Sequence, residues 1–273
     1  MQLIRSIDEL KNALSNLDKT IGYVPTMGAL HDGHRSLIKK AKEQNEFCIV
    51  SDFVNPSQFL PNEDLENYPR NESEDIKTCE SCGVDVLFMP SSDEMYPSND
   101  VKIIAPTSLS TKLEGATRPG HFDGVLTVLN KFFNLISPNR VYFGKKDAQQ
   151  LLIVQKMIKT TFKNIELVPC DIVRGADGLA LSSRNSYLDE EEKLEALKLY
   201  RALLKANELI KNGEFSTKVI KEQMRAVLEP IKIDYVEITD RELNSVEKVT
   251  MENTLILIAA YIGKTRLIDN LWI

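Results

Sequence analysis

Two of the three histidines in this chain stand three residues apart, in Met27-Gly28-Ala29-Leu30-His31-Asp32-Gly33-His34. Imidazoles at that spacing can donate N–H groups to one anion, or pass a proton near neutral pH. The stretch lies between an apolar, β-branched run, Ile21 to Pro25, and an amphipathic run of helical length, Gly33 to Glu43. It therefore falls at a helix N-terminus, where unpaired N–H groups and the positive end of the macrodipole receive phosphate. Gly33 lets a ligand approach the backbone closely, and the same dipole favours neutral rings that donate one N–H. A zinc site would need a third ligand, and no further His or Cys stands nearby in sequence. The plain alternative is a helix cap carrying two surface histidines.

Two other patterns invite chemistry and lose it on inspection. Cys79 and Cys82 make a C-x-x-C pair with no second ligand pair. They fall at a helix C-terminus before Gly83, where the dipole disfavours a thiolate, and Ile76, Cys79 and Cys82 share one helical face, so core packing suffices. Gly263-Lys264-Thr265 has the ending of a P-loop, but Ile258 stands five residues before Gly263 and the segment joins two strand-like runs. It reads as a hairpin turn.

The elements that must position the histidines alternate as β and α through the first 175 residues or so. Strands are expected at Ile21 to Pro25, Phe47 to Val54, Val84 to Met89, Val141 to Phe143 and Ile165 to Val173. Helices are expected from Ser6, where Ser6 and Glu9 form a capping box, and over Gly33 to Glu43, Glu72 to Cys82, Phe122 to Ile136 and Asp147 to Thr161. Parallel strands with right-handed crossovers make a doubly wound, Rossmann-like α/β sheet, whose ligands bind beyond the carboxyl ends of the strands. The loops after Val24, Val54, Phe143 and Val173 are thus the expected site. After Ser183 the pattern changes to two helices, one opened by an Asp189/Glu192 capping box, and three antiparallel strands. The organisation is a domain over 1–178 and a smaller C-terminal α+β domain over 179–273.

Composition narrows the classes. In 273 residues, 42% are apolar and 27% charged, close to globular averages, which excludes collagenous, disordered and coiled-coil chains. The longest apolar stretch, Leu255 to Ile262, is under half the roughly 20 residues a membrane span needs. The first residues lack the basic and apolar regions of a secretory signal, and four cysteines are too few for a disulfide scaffold, so a cytoplasmic protein is expected. A net charge of −6 repels nucleic acid, so a polyanion site must be a local concentration of positive charge.

The His-x-Gly-His spacing is that of the nucleotidylyl transferase superfamily, and its surroundings are more specific. In order come Tyr23 to His34, Phe53-Val54-Asn55-Pro56-Ser57-Gln58-Phe59, Tyr68-Pro69-Arg70, Glu114 to Phe122, Gly178 to Asn185, and Gly263 to Asn270. Over nearly its whole length the chain resembles the pantothenate synthetase (pantoate:β-alanine ligase) family. The resemblance implies a nucleotide-binding first domain and a C-terminal lid that brings Arg184 onto the phosphates, hinged around Ser182 to Asn185. It implies that ATP adenylates the carboxylate of (R)-pantoate, releasing pyrophosphate, and that β-alanine then displaces AMP to give pantothenate. The alternative within the superfamily is a nucleotidylyltransferase that keeps the nucleotide on its product, and outside it a binding protein that senses nucleotide without turnover.

By that resemblance His31 and His34 contact the ATP phosphates, with His34 the proton donor, and Met27, Gly28, Ala29, Leu30, Asp32 and Gly33 lie along the nucleotide. Gly144 and Asp147 are implied at the ribose, Lys146 at the phosphates, Val173 beside the adenine, Leu181 among the ATP contacts, and Ser182, Ser183 and Arg184 over the β- and γ-phosphates. His31, His34, Lys146 and Arg184 form the implied catalytic set. Asn55, Gln58 and Gln150 are the implied pantoate and β-alanine contacts, neutral amides that serve a small hydroxy acid without burying a second charge. Lys145 departs from the family, which has an acid there, and its plainer reading is an outward-pointing side chain. Mg2+ is implied with ATP, its ligands unassigned, and a homodimer is implied as the assembly.

Overall fold

The computed structural model describes residues 1–61, 63–97 and 101–273. The chain divides into two compact units, one of residues 1–145 with 150–171 and one of 146–149 with 172–273.

The first unit is built on a parallel sheet. β1 (Gln2–Ile4) leads through α1 (Ile7–Leu14) to β2 (Ile21–Thr26), α2 (Asp32–Gln44) leads to β3 (Phe47–Asp52), and α3 (Glu72–Ser81) to β4 (Val86–Phe88). The short α4 (Ser92–Met95), α5 (Thr107–Ser110) and α6 (Glu114–Thr117) and the long α7 (His121–Ile136) precede β5 (Arg140–Gly144), and α8 (Ala148–Thr161) precedes β6 (Glu166–Cys170). The strand order is β1-β4-β3-β2-β5-β6, with every pairing parallel. From β2 the chain winds outward to β3 and β4, then returns to lay β5 on the other side of β2. Such a reversal opens a crevice at the carboxyl ends of the two strands it separates, here Thr26 of β2 and Gly144 of β5.

Local chemistry explains the elements. Ser6 Oγ accepts from Glu9 N at 3.2 Å while Glu9 Oε2 accepts from Ser6 N at 3.2 Å, so the expected capping box starts α1. Cys48, Ile49 and Val50 are wholly buried, so both faces of β3 are covered, as a parallel sheet requires. α2 turns Leu37, Ile38 and Ala41 into this core, which also takes Cys79, with Ile76 and Cys82 packed against it. All four cysteines are free thiols, burial pushes that of Cys79 up to about 12, and the C-x-x-C pair packs into this core.

The second unit holds α9 (Glu190–Lys211), α10 (Thr217–Leu228) and an antiparallel sheet ordered β7 (Lys232–Asp240), β8 (Thr254–Ile262), β9 (Thr265–Trp272). Asp189 and Glu192 form the second capping box. Leu199, Leu203, Ile220 and Met224 of the helices pack with Val236, Ile258 and Ala260 of the sheet. Ile262 pairs with Thr265 across a two-residue turn in which Gly263 has φ +54°, the left-handed conformation that hairpins demand, so the P-loop-like ending is a hairpin. Among the described residues no helix is long and apolar enough to cross a membrane.

Candidate functional site

At the carboxyl end of β2 the two histidines build the start of α2. His31 is the N-cap, and its Nδ1 accepts from Gly33 N at 3.1 Å, while His34 Nδ1 accepts from His31 N at 3.3 Å. This is a capping box made from imidazoles instead of hydroxyl and carboxylate. A ring nitrogen that accepts carries no proton, so each neutral ring bears its proton on Nε2. The rings lie against each other with centroids 4.1 Å apart and planes tilted by 39°. The cap thus occupies both Nδ1 atoms and fixes both rings at a helix N-terminus.

The turn before the cap is held from below. Gly28 and Ala29 have φ of +78° and +51°, and a Cβ on Gly28 would collide with the Asp52 carboxyl. Asp75, 2% exposed within α3, accepts from Ala29 N at 2.8 Å and from Leu30 N at 2.7 Å. Neither Asp52 nor Asp75 was expected at the site. An acid inside an amphipathic helix reads in sequence as a solvated residue, and its bonds to the Ala29 and Leu30 amides arise only in the fold.

Beside Met27 lies a group of buried amides. Asn55, 1% exposed, donates to Gln58 Oε1 at 3.0 Å and Gly124 O at 3.1 Å, and accepts from Ser57 Oγ at 2.8 Å and Tyr96 Oη at 2.6 Å. Its hydrogen-bonding capacity is filled within the protein, which makes it the brace of Gln58. Gln58 is left with Nε2, which donates to Met27 Sδ at 2.8 Å. A thioether is a weak acceptor, so a carboxylate or hydroxyl oxygen arriving there would improve that bond. α7 approaches closely because Gly124 has no side chain; a Cβ there would strike the backbone of Ser57.

The third histidine, given no role by sequence reasoning, supports the same residue. His121 Nδ1 lies 2.7 Å from Gln58 O, and Arg118 Nη1 lies 3.2 Å from His121 Nε2. Burial, then the Arg118 charge, lowers the His121 pKa to about 4, so its ring is neutral, donating from Nδ1 and accepting at Nε2. Arg118 also reaches Gln58 O at 3.3 Å and pairs with Glu63 through Nη2 at 2.6 Å and through Nε. Burial raises the Glu63 carboxyl, but the Arg118 pair outweighs it and holds it below the usual range. Both Arg118 and His121 belong to the motif from Glu114 to Phe122; their spacing marked the family but not this task.

Gly144 ends β5 and Gln150 is half-buried in the first turns of α8. Lys145 does not simply point outward: its Nζ pairs with Asp171 at 2.6 Å, and that bond and charge hold the Asp171 carboxyl below its ordinary value. The cation thus ties the ends of β5 and β6.

The remaining expected residues belong to the second unit. Lys146 is largely buried, 3.8 Å from the carboxylate of exposed Asp147, and its carbonyl accepts from Asn270 Nδ2 at 2.6 Å. Leu181 N donates to Val173 O at 3.0 Å, closing a small loop whose opposite sides meet at Arg174 and Ala180. Arg174 secures that loop by a two-bond pair with the buried Asp269 at 2.6 and 2.9 Å and by stacking on Tyr200 at 4.2 Å. Ser182 then caps a single-turn 3-10 helix, Ser183–Tyr187, accepting from Arg184 N at 3.3 Å, so Ser182, Ser183 and Arg184 stand together at its start. Among the described residues no group of three or more His, Cys, Asp or Glu is arranged to hold a metal ion.

Comparison with known proteins is consistent along the whole chain. The family model for pantoate-beta-alanine ligase matches residues 2–272. A pantothenate synthetase of Campylobacter fetus subsp. fetus is 59% identical over 273 residues, and one of Campylobacter concisus 62%, each covering all of both chains. The crystal structure of pantothenate synthetase from Thermus thermophilus is similar with a TM-score of 0.96 at 40% identity, covering 100% of this chain and 99% of that one. A pantoate-beta-alanine ligase from Francisella tularensis, complexed with beta-gamma ATP and beta-alanine, has a TM-score of 0.82 at 38% identity, covering 100% and 97%.

Proposed function

The chain belongs to the pantoate–β-alanine ligase family, and on that premise we propose that its site joins (R)-pantoate to β-alanine through a pantoyl adenylate. A carboxylate oxygen of pantoate attacks the α-phosphorus of ATP and pyrophosphate leaves. The β-alanine amine then attacks the acyl carbon, loses a proton, and AMP leaves. Displacement at phosphorus asks for alignment and for positive charge around the departing pyrophosphate, with no covalent nucleophile from the protein.

The observation that carries this reading is the imidazole capping box, which fixes two imidazole rings at a helix N-terminus beside the β2/β5 crevice. We assign His31 and His34 to the phosphates, His34 as proton donor, and Met27 to Gly33 to the nucleotide. Lys146, Ser182, Ser183 and Arg184 supply further charge and donors to the phosphates, Gly144 and Asp147 serve the ribose, Val173 meets the adenine, and Leu181 completes the ATP contacts. Gln58 and Gln150 take the small acid, Asn55 acting through Gln58. Mg2+ enters with ATP as part of the substrate; an ion that keeps its waters and binds phosphate oxygens needs no dedicated cage of side chains. A cytoplasmic homodimer completes the reading, and sedimentation analysis tests the assembly.

The decisive experiment is exchange of labelled pyrophosphate into ATP, with and without pantoate, followed by β-alanine. Exchange that requires pantoate, and AMP release that requires the amine, are expected. Exchange without pantoate, or nucleotide retained on the product, would overturn the proposal in favour of a nucleotidylyltransferase.

A further inference from the structure

We propose that Asp75 is a positioning residue for adenylation and Asp52 its partner, the two carboxyl groups together holding the Gly28–Leu30 turn from which the histidine cap departs. The proposal rests on the reading of that cap as the phosphate site.

The geometry assigns the roles. The Asp52 carboxyl fills the space beneath Gly28, where a Cβ would strike it, and both Asp75 oxygens accept from the next backbone amides, Oδ1 from Leu30 and Oδ2 from Ala29, so the two acids lie against one turn. Burial, the Asp75 charge and their mutual bond, with a smaller push from Glu72, raise the Asp52 pKa to about 7.

The neighbours do not relieve a second charge. On α3, Glu72 is itself paired with Arg5 at 2.6 Å, and the Cys79 thiol is neutral. On α2, the Arg35 guanidinium bonds Thr78 Oγ1 at 3.0 Å and Ser81 Oγ at 3.2 Å, with Asp32 3.5 Å from its Nε. Ionisation of Asp52 therefore sets two like charges against each other beneath Gly28, whose missing side chain leaves the space Asp52 occupies. The sign follows: the turn is held below neutrality and loosened as pH rises past about 7.

Backbone amide exchange of Ala29 and Leu30, read by NMR in the full chain without nucleotide, tests the clamp. In wild type, protection corrected for intrinsic base catalysis should fall about tenfold or more between pH 6 and pH 8.5. In Asp52→Asn, which donates to Asp75 but cannot ionise, it should be flat. In Asp75→Asn both amides should lose protection throughout; should that variant not fold, the Asp52→Asn comparison decides alone. The wild-type kcat/KM for ATP should fall with the same midpoint, and Asp52→Asn should abolish that break, an effect that a merely structural role would not produce. An unchanged pH dependence in Asp52→Asn, or amides equally protected at both ends of the range, overturns the proposal. Amides behaving as expected in a protein without pyrophosphate exchange would support the clamp and refute the phosphate reading instead.

Discussion

On the proposed function His34 has two separable tasks, and two substitutions distinguish them. Its Nδ1 accepts from His31 N, and the proposal has its Nε2 donate to the nucleotide. Asparagine places an acceptor near the Nδ1 position and nothing at Nε2, whereas glutamine places a donor near Nε2 and vacates Nδ1. The cap bond, long at 3.3 Å, belongs at the lower end of the range for capping, about 0.5–1 kcal/mol, or roughly 1–4 °C in melting temperature for a chain of this size. The donor matters more: a positioned acid typically contributes about 10²–10⁴ in rate, roughly 3–5 kcal/mol of transition-state stabilisation. His34→Asn should therefore melt close to wild type while its pyrophosphate burst, followed by rapid quench with saturating ATP and pantoate, slows by about 10²–10⁴. His34→Gln should melt lower and recover part of the rate. A near wild-type burst in His34→Asn would refute the assignment, because the capping contact would then be the whole of what His34 does.

Gln58→Ala removes a donor expected to face a carboxylate, worth about 1.5–3 kcal/mol, so the pantoate KM should rise roughly 10- to 150-fold with ATP affinity little changed; equal loss of both would indicate a collapsed pocket. His121 has a pKa of about 4 against an ordinary 6.5, so the unfolded chain binds the extra proton between those values. Stability should be fully present above about pH 6.5 and decline by about 2–3 kcal/mol as pH falls toward 4, with His121→Asn removing that share of the slope in denaturant titrations. Digestion of the 175–185 segment should slow with ATP plus pantoate if Ser182 to Arg184 engage the nucleotide; unchanged cleavage counts against that assignment.

Much of this architecture was legible because local rules and long-range packing agree. The Ser6/Glu9 and Asp189/Glu192 boxes, the fully apolar centre of β3 and the Gly263 hairpin each carry their signal within a few residues. β1 was missed for the opposite reason: three residues are too short for a period, and it exists only by pairing Gln2–Ile4 with Val86–Phe88. At the site, the histidine spacing located the helix start, but that the rings themselves form the capping box depends on side-chain direction, which spacing does not encode. His121 and Arg118, the latter paired with Glu63, were invisible as a unit because their common target is the backbone carbonyl of Gln58, and a carbonyl has no residue type to read.

The strand order also sets when the site can exist during synthesis. β1, β2, β3 and β4 are neighbours completed by residue 88, so an emerging chain can assemble that half of the sheet early. β5 joins β2 only after Gly144 has left the ribosome, fastened in part by Asn139 Oδ1 accepting from Ile21 N at 2.7 Å, a loop closure of 118 residues. Such distant pairing is slow, and until it forms the Tyr23 edge of the sheet lacks its neighbour. Nucleotide present during translation thus has no crevice to stabilise in the first half of the chain, and any ligand-assisted folding must act on the late steps.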